Sequence, residues 1–282
     1  MNAPLRDPAG ALARVLEEIG PASVAVSGGV DSLTLGVALH RRFPAAARMF
    51  HAVSPAVPPE ATQRVRDVAA AEGWDLTVMD AGEFADPDYL RNPVNRCFYC
   101  KTNLYRTMRQ SIEGILCSGT NLDDLGDFRP GLEAARSYEV RHPYVEAGID
   151  KAGVRRLARD LGLGTLAELP AAPCLSSRVE TGIAVEAGTL SLIHAIETAA
   201  RVWLADRSLN PEALRCRVRR DALALELDAA ILERLSASDA AALQARLAGL
   251  ANAAGRDQPL CLEAYRRGSA FLQPATETRR PA

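Results

Sequence analysis

The stretch Ser27-Gly28-Gly29-Val30-Asp31-Ser32 joins a β-branched apolar run at residues 23–26 to a longer apolar run at residues 33–40. The first run predicts a short buried strand and the second a buried helix. Two glycines between a strand and a helix let backbone N–H groups approach one anion, where the helix dipole favours a phosphate. The two serine hydroxyls can donate further hydrogen bonds. Asp31 would repel a phosphate unless a cation lay between them, so the pattern predicts Mg²⁺ bound at Asp31.

The spacing of this loop excludes two other phosphate motifs, because it lacks the Walker lysine and the dinucleotide-binding glycine pattern. It resembles the pyrophosphate (PP) loop of the ATP pyrophosphatase superfamily, whose members cleave ATP between the α- and β-phosphates. The resemblance implies that five loop residues bind ATP: Ser27, Gly28, Gly29, Asp31 and Ser32. An ordinary glycine-rich turn is the alternative interpretation, and the motif does not identify a substrate.

Strands and helices alternate beyond this loop, with strands expected at residues 47–53, 75–80 and 114–118. Such alternation predicts a parallel sheet covered on both faces, with ligands bound beyond the carboxyl ends of its strands. A composition change near residues 180–182 precedes a helix, a strand pair, further helices and a last strand. We therefore expect an α/β fold: a PP-loop ATP pyrophosphatase domain at residues 1–180 and a smaller α+β substrate-binding or oligomerisation domain at residues 181–282.

Composition indicates a soluble globular protein, since 48% of the 282 residues are apolar and 24% are charged. The formal net charge of −2 leaves no electrostatic footprint for nucleic acid or an anionic membrane. No apolar run approaches the roughly 18 residues of a membrane span, and the first ten residues lack a signal-peptide core. We expect a cytoplasmic protein that binds neither nucleic acid nor membranes.

A second polar loop, Gly119-Thr120-Asn121-Leu122-Asp123-Asp124, follows the strand expected at residues 114–118. It looks like the G-T-N-x-D-D segment of several pyrophosphatase families, which implies nucleotide binding by Gly119, Asn121 and Asp124. The alternative is an Asn/Asp turn that caps the next helix. A further helix is expected at residues 150–161, with its Lys and Arg side chains on a solvated face.

Six cysteines in a chain of this size do not indicate a secreted disulfide framework. Three lie in apolar runs and fit buried small hydrophobes: Cys117, Cys216 and Cys261. Cys97 and Cys100 form a C-x-x-C pair at a helix start, which suits a shared metal, an iron–sulfur cluster or a redox pair. With Cys174 as third ligand, a [4Fe–4S] cluster would leave one iron open to an exogenous sulfide. Unligated thiols are the remaining alternative.

Three segments indicate a particular family within the superfamily. In chain order they are N-R-C-F-Y-C-K at residues 95–101, G-T-N-L-D-D with R-P-G at residues 119–131, and P-C-L-S-S-R at residues 173–178. Together they resemble the LarE family of ATP-dependent sulfur transferases, over about residues 12–271. These enzymes help to assemble the nickel-pincer nucleotide cofactor of lactate racemase. The resemblance implies that ATP adenylates a carboxylate of pyridinium-3,5-dicarboxylate mononucleotide, which sulfur then converts to a thiocarboxylate.

The resemblance also implies how sulfur is delivered. In sacrificial members, the cysteine that matches Cys174 attacks the activated acid and surrenders its own sulfur. Members with the additional C-x-x-C bind a [4Fe–4S] cluster through three cysteines and transfer a sulfide from the open iron. This chain carries Cys97, Cys100 and Cys174, so it resembles the cluster-dependent members, with Cys174 as the catalytic residue.

Cations are expected near Cys174, because the implied substrate is a phosphorylated anion. The family binds substrate phosphate through an R-V-R segment, matched here by Arg217-Val218-Arg219, and Arg178 lies four positions beyond Cys174. The resemblance therefore implies substrate binding by Arg178, Arg217 and Arg219. Alternating arginines at 215, 217 and 219 also suit a solvated strand edge protected by charge, which is the alternative.

The family resemblance draws attention to two further residues. Glu226, on the next strand, is expected to hold either a metal ion or Arg219. Cys261 stands where the family pattern has an aspartate, so any role of that aspartate in assembly or metal binding is absent. The resemblance also implies a homo-oligomer.

Competing functions come from two classes. A tRNA thiolase of the same superfamily is one, although the near-neutral net charge argues against it. A non-catalytic nucleotide-binding redox sensor that uses Cys97 and Cys100 is the other.

Overall fold

The computed structural model describes residues 7–126, 130–170, 173–266 and 268–270. Residues 127–129, which include Arg129 of the R-P-G segment, lie outside the described residues, as does the end of the LarE resemblance at residue 271. The chain forms two compact units, of which the first comprises Met1–Tyr89 and Asn95–Pro173, and the second Leu90–Val94 and Cys174–Ala282. The domain boundary expected after residue 180 stays a prediction.

The first unit contains a four-stranded parallel sheet. Its strands are β1 (Ala22–Ala25), β2 (Arg48–Ala52), β3 (Asp75–Met79) and β4 (Ile115–Ser118). Their spatial order is β3-β2-β1-β4, and every neighbouring pair is parallel. Its helices are α1 (Pro8–Ile19), α2 (Val30–Arg42), α3 (Pro59–Glu72), α4 (Pro87–Leu90), α5 (Arg96–Ser111), α6 (Pro130–Ser137), α7 (Pro143–Glu146) and α8 (Lys151–Asp160).

Helices cover both faces of this sheet. Successive residues of a strand point to opposite faces, so each strand contributes side chains to the core on either side. Val24, Met49 and Cys117 pack in a core with residues of α1, α2, α3 and α8. Phe50 and Leu116 pack in a second core with residues of α5. Burial of each such side chain stabilises the fold by about 1.5–3 kcal/mol, so the alternation in β2 and β4 fixes which helices lie on which face.

Helix α5 carries the C-x-x-C pair. The pair was expected at a helix start, and the structure begins the helix at Arg96, so Cys97 and Cys100 lie in its first two turns. Cys, Phe and Tyr have weak helix propensity, so local preference does little to stabilise these turns. Tertiary packing of its buried residues, among them Leu104, Tyr105 and Met108, sustains it instead.

The second unit contains a mixed sheet and three helices of its own among the described residues. In chain order its elements are α9 (Ala187–Ala205), β5 (Leu214–Val218), β6 (Leu223–Leu227), α10 (Ala229–Arg234), α11 (Ala237–Ala253) and β7 (Leu260–Ala264). Strand β6 is central, antiparallel to β5 and parallel to β7. Asn92 belongs to this unit, where its buried amide donates to the carbonyls of Glu180 and Ile183.

The predicted fold class is confirmed: an α/β protein with an all-parallel PP-loop sheet and a smaller α+β part at the carboxyl terminus. Within the described residues, no helix combines the length and apolar character that crossing a bilayer demands.

Candidate active site

The loop after β1 has the backbone that its glycines predict. Gly28 has φ +82°, and a Cβ there would lie 2.5 Å from the Ala61 carbonyl oxygen. Gly29 is the N-cap of α2, and none of the described side chains caps that helix terminus. The first backbone N–H groups of a helix have no partner within the helix, so this terminus offers donors and a favourable dipole to an anion.

The two serines of the loop have different environments. Ser32 is buried, and its Oγ accepts a hydrogen bond from the backbone N–H of Ser27 (2.9 Å) and donates to the carbonyl of Gly29 (3.2 Å). Ser27 is exposed, and its Oγ lies 3.1 Å from the Ser32 Oγ. Ser32 therefore shapes the loop, while Ser27 presents its hydroxyl to solvent.

His51 supports the loop from β2, a role that the sequence analysis missed. Its Nδ1 lies 2.8 Å from the Val26 carbonyl oxygen and its Nε2 lies 2.9 Å from the Thr62 hydroxyl. Desolvation lowers the pKa of His51 below its usual value. A neutral imidazole with one donor and one acceptor nitrogen suits these two partners. No motif contains His51, so only its alternation within a strand could have indicated it.

Asp31 is the point where three parts of the first unit converge. Its Oδ2 accepts a hydrogen bond from the Lys151 ammonium at 2.5 Å, and its Oδ1 accepts one from the Asn121 amide at 3.1 Å. The Tyr144 hydroxyl donates to its backbone carbonyl at 3.0 Å. Lys151 was expected on a solvated face of its helix, and that prediction is wrong. It is the first residue of α8, where helical periodicity does not yet decide direction.

The second loop packs directly against the first. A Cβ on Gly119 would lie 2.8 Å from the Ser32 nitrogen and 2.9 Å from the Asp31 carbonyl carbon. Asn121 is buried, and its backbone N–H donates to the Asp124 carboxylate at 3.1 Å. Gly119 and Asn121 therefore lie against the PP loop, and Asp124 is held beside Asn121 by a local Asn/Asp turn.

A histidine–serine pair at the carboxyl end of β4 was also missed. Ser118 Oγ lies 2.9 Å from His142 Nδ1 and 3.1 Å from the Thr120 hydroxyl. Burial lowers the pKa of His142. His142 comes directly after Arg141, whose parallel bridge to Cys117 extends the sheet beside β4. A one-residue bridge leaves no strand pattern in the sequence.

The thiols fall into distinct environments. Cys117 and Cys216 are buried, as predicted, and burial raises the pKa of Cys117 to about 12. Cys261 was expected to be buried, but it is half-exposed on β7, where its thiol lies 3.3 Å from Glu263 Oε1. The prediction failed there because β7 lies at the edge of its sheet.

The three cysteines expected at a cluster belong to different units. Cys97 and Cys100 are half-buried in the first unit, and Cys174 is exposed in the second. No disulfide joins any two cysteines, all six of which lie in the described part of the chain. Within that part, no cluster of three or more His, Cys, Asp or Glu side chains is arranged to hold a metal ion. The three-cysteine cluster stays a prediction.

The arginines that were expected to bind substrate form ion pairs in the second unit. Arg178 and Arg217 are buried and pair with Glu197 and Glu226 respectively, both at 2.9 Å. Every residue of β5 is buried, so a solvated strand edge is wrong for Arg217, although β5 is an edge strand of the sheet. The cause is cover from α9 and from the chain around residue 179.

Glu226 and Arg219 border a cavity of about 710 Å³ in this unit. Arg219 forms two hydrogen bonds to Glu263 (2.8 and 2.7 Å) and lies 3.6 Å from Glu226. Glu226 therefore contacts Arg219, one of its two expected partners, but lies nearer to Arg217. Arg266 and Ser269 also line this cavity, which presents both signs of charge.

The comparisons with known proteins agree with this architecture. An uncharacterized protein of Synechocystis sp. is 32% identical over 214 residues, which cover 74% of this chain and 77% of the relative. The pyridinium-3,5-bisthiocarboxylic acid mononucleotide synthase of Lactiplantibacillus plantarum is 26% identical over 221 residues, 77% of this chain and 78% of the relative. An uncharacterized protein of Methanocaldococcus jannaschii is 26% identical over 119 residues, 41% of this chain and 46% of the relative. No protein-family model matches the chain.

The parallel sheet and the loop after β1 define an α/β protein of the PP-loop class. Within that class, the chain belongs to the same family as the uncharacterized Synechocystis protein, and it is more distantly similar to the Lactiplantibacillus synthase. The similarity to the Lactiplantibacillus synthase supports the resemblance predicted from the three sequence segments, whereas the three-cysteine type stays a prediction.

Proposed function

We propose that this chain is an ATP-dependent, AMP-forming sulfur transferase that acts on pyridinium-3,5-dicarboxylate mononucleotide. The observation that carries the proposal is the convergence of Lys151 and Asn121 on Asp31, beside the helix terminus of a PP loop. The name of the Lactiplantibacillus relative supports the choice of substrate and product.

The first proposed step activates a substrate carboxylate, which resists nucleophiles because it is anionic and lacks a good leaving group. A carboxylate oxygen forms a bond to the α-phosphorus of ATP, and the bond from that phosphorus to pyrophosphate breaks. Phosphate binding is assigned to the exposed hydroxyl of Ser27 and the backbone of Gly28 and Gly29. Ser32, Gly119, Asn121 and Asp124 complete the proposed nucleotide site.

Cations must balance the charge of the phosphates in this step. The Asp31 carboxylate is partly exposed and offers the oxygen ligand that Mg²⁺ prefers, so it fits that ion. Bound Mg²⁺ would supply positive charge to the leaving pyrophosphate. Lys151 supplies a second positive charge at the same carboxylate.

The second proposed step forms the carbon–sulfur bond. A sulfur nucleophile attacks the acyl carbon, and AMP leaves with the electrons of the acyl C–O bond. Cys174 is assigned to this step, and its exposure suits it. Cys97, Cys100 and Cys174 are the donor set of a [4Fe–4S] cluster with one open iron, which would supply an exogenous sulfide when bound. In the sacrificial alternative, Cys174 loses its Cα proton and its Cβ–S bond breaks, which leaves dehydroalanine.

Substrate phosphate is assigned to Arg219, which borders the cavity of the second unit. Arg217, expected to share this role, is buried and paired with Glu226, so it is assigned to holding Glu226 at the same cavity. Guanidinium groups suit phosphate because they can donate two parallel hydrogen bonds. A homo-oligomer is proposed from the family resemblance, and sedimentation would measure it.

The function is tested by separating its two steps. Wild-type protein should release pyrophosphate from ATP only when the dicarboxylate nucleotide is present, and should form thiocarboxylate. Cys174→Ala should keep pyrophosphate release but form no thiocarboxylate, whereas Cys261→Ala serves as the matched control and should retain both. Asp31→Asn should fail at pyrophosphate release. Pyrophosphate release stimulated by tRNA rather than by the nucleotide would contradict the proposal.

The sulfur source is tested by anaerobic purification with iron quantification and a visible spectrum. Cluster-dependent transfer predicts iron that is lost in Cys97→Ala, Cys100→Ala and Cys174→Ala but not in Cys261→Ala. Protein without iron that loses mass at Cys174 after turnover would instead establish the sacrificial route.

A further inference from the structure

The backbone of Cys174 is fixed although its side chain is exposed. Cys174 is the N-cap of a single 3₁₀ turn, Leu175–Arg178, whose residues are all buried. Its carbonyl oxygen accepts hydrogen bonds from the Ser177 backbone N–H (3.0 Å) and from the Arg178 guanidinium (3.1 Å). A single 3₁₀ turn has little stability of its own. The hydrogen bond from Arg178 to the Cys174 carbonyl therefore helps to fix the conformation of this turn.

The guanidinium of Arg178 is itself held by Glu197 of α9. Its Nε and one terminal nitrogen donate to the two carboxylate oxygens at 2.9 and 3.1 Å, and the side chains are only 5% and 9% exposed. This parallel two-bond geometry is the strongest arrangement available to an arginine–carboxylate pair. The other terminal nitrogen bonds Cys174 and also Ser177 Oγ (3.1 Å).

Glu197 is anchored to the sheet of the second unit. Its Oε1 also accepts a hydrogen bond from the backbone N–H of Cys216 in β5, at 2.9 Å. The neighbouring Arg217 donates to the carbonyl of Ser177 at 2.7 Å. A continuous set of buried hydrogen bonds therefore runs from α9 and β5 to the turn that follows Cys174.

From this geometry we propose that Arg178 and Glu197 are positioning residues that hold Cys174 in place for sulfur transfer. This inference rests on the proposed function of Cys174, and it assigns Arg178 a role other than the substrate binding expected from the sequence. All three guanidinium nitrogens already donate within the protein, and Arg178 is 4% exposed. A phosphate would have to displace a buried carboxylate to reach it, at a high desolvation cost.

The test compares Arg178→Lys and Glu197→Gln with a matched control, Arg207→Lys, which weakens a half-exposed ion pair with Asp239 in the same unit. Pyrophosphate release and thiocarboxylate formation are measured separately. Positioning predicts that both test variants keep pyrophosphate release and the KM for the dicarboxylate nucleotide, while the kcat of sulfur transfer falls at least about tenfold. A raised KM with unchanged kcat would overturn the proposal, because it would assign Arg178 to substrate binding.

Hydrogen–deuterium exchange supplies a readout that needs no activity. Amides of residues 174–179 should exchange faster in Arg178→Lys and Glu197→Gln than in wild type, and at the wild-type rate in Arg207→Lys. Unchanged exchange in both test variants would overturn the positioning role. If wild type formed no thiocarboxylate, the proposed function of the chain would fail, and the exchange result would still decide whether the pair fixes the turn.

A double variant distinguishes a loss of positioning from a loss of folding. Replacing both partners, Arg178→Met together with Glu197→Gln, removes the buried charges without leaving one unpaired, and the glutamine oxygen can still accept the hydrogen bond from the Cys216 backbone N–H. This protein should keep a wild-type circular dichroism spectrum and pyrophosphate release, yet lose sulfur transfer. Wild-type sulfur transfer by the folded double variant would refute the inference.

Discussion

The Lys151 ammonium lies 2.5 Å from the Asp31 carboxylate, so the first residue of α8 supplies a positive charge to the loop that follows β1. The sequence predicts a cation beside Asp31, and Mg²⁺ was expected to be that cation. Lys151 is a cation of the chain itself that already lies beside Asp31 and balances part of its negative charge. The two cations differ in a testable way, because only one of them is removed by a chelator.

Replacing Lys151 tests this arrangement. Lys151→Met should lower substrate-dependent pyrophosphate release at least about tenfold, because a positive charge aimed at developing negative charge is lost. Lys151→Arg should retain more of the activity, since it keeps the charge but not the compact ammonium. Arg159→Met, on the same helix in an exposed pair with Glu168, is the control and should behave as wild type. Equal activity in Lys151→Met and wild type would show that Mg²⁺ alone balances Asp31.

The contact between the two nucleotide loops is tested at Gly119. Gly119→Ala would place a Cβ 2.8 Å from the Ser32 nitrogen, against backbone that cannot rotate away. We expect a loss of about 1–3 kcal/mol in the free energy of unfolding and weaker ATP binding by calorimetry. Gly249→Ala is the control, because it lies exposed in α11 with open space around it, and it should stabilise by about 0.5–1 kcal/mol. Wild-type ATP affinity in Gly119→Ala would place the nucleotide elsewhere.

The fold and the nucleotide loops could be predicted because local chemistry decides them. The glycines at 28 and 29 leave few alternatives for a strand-to-helix turn, and alternating strands and helices leave few topologies. Asn121 and Gly119 carry a motif, so their position beside the loop followed.

The partners of these residues could not be predicted, because they depend on long-range packing. Lys151 lies 120 positions from Asp31, and Glu197 lies 19 positions from Arg178 in a different element. Both sit in runs that resemble ordinary helix surfaces. Arg178, Arg217 and Arg219 were expected to bind substrate because the implied substrate is a phosphorylated anion and the family's R-V-R segment binds its phosphate. The burial of Arg178 and Arg217 in ion pairs could not be predicted, because charged side chains are normally exposed.

The ion pair between Arg219 and Glu263 predicts an acid-dependent loss of stability. Hydrogen bonds from Arg219 lower the pKa of Glu263 from 4.5 to about 2. A depressed carboxyl pKa stabilises the folded state above pH 4.5, and this contribution is lost as the pH falls towards 2. Glu263→Gln should therefore be less stable than wild type at pH 6, with a smaller difference at pH 3, measured by urea unfolding. A difference that does not change with pH would show that charge is not the cause.

Asn92 joins the segment Leu90–Val94 to the rest of the second unit, and its replacement should be among the most damaging single changes there. It has φ +54° and is fully buried, with its amide donating to Glu180 (2.9 Å) and Ile183 (2.8 Å). Asn92→Asp keeps the shape but sets a carboxylate oxygen against these carbonyls, so we expect a loss of about 3 kcal/mol or more in unfolding free energy. Asn92→Gly accepts the left-handed backbone but lacks the side-chain bonds, and should lose less, about 1–3 kcal/mol.

The control for Asn92 is Ser208→Asp, at an exposed position with φ +56°. Aspartate tolerates the left-handed region, so Ser208→Asp should stay within about 0.5 kcal/mol of wild type. Unfolding by urea, followed by circular dichroism, measures all three variants against wild type. If Asn92→Asp proved as stable as Ser208→Asp, the amide hydrogen bonds would not be what holds the segment, and its backbone contacts to Gly182 and Val185 would have to suffice.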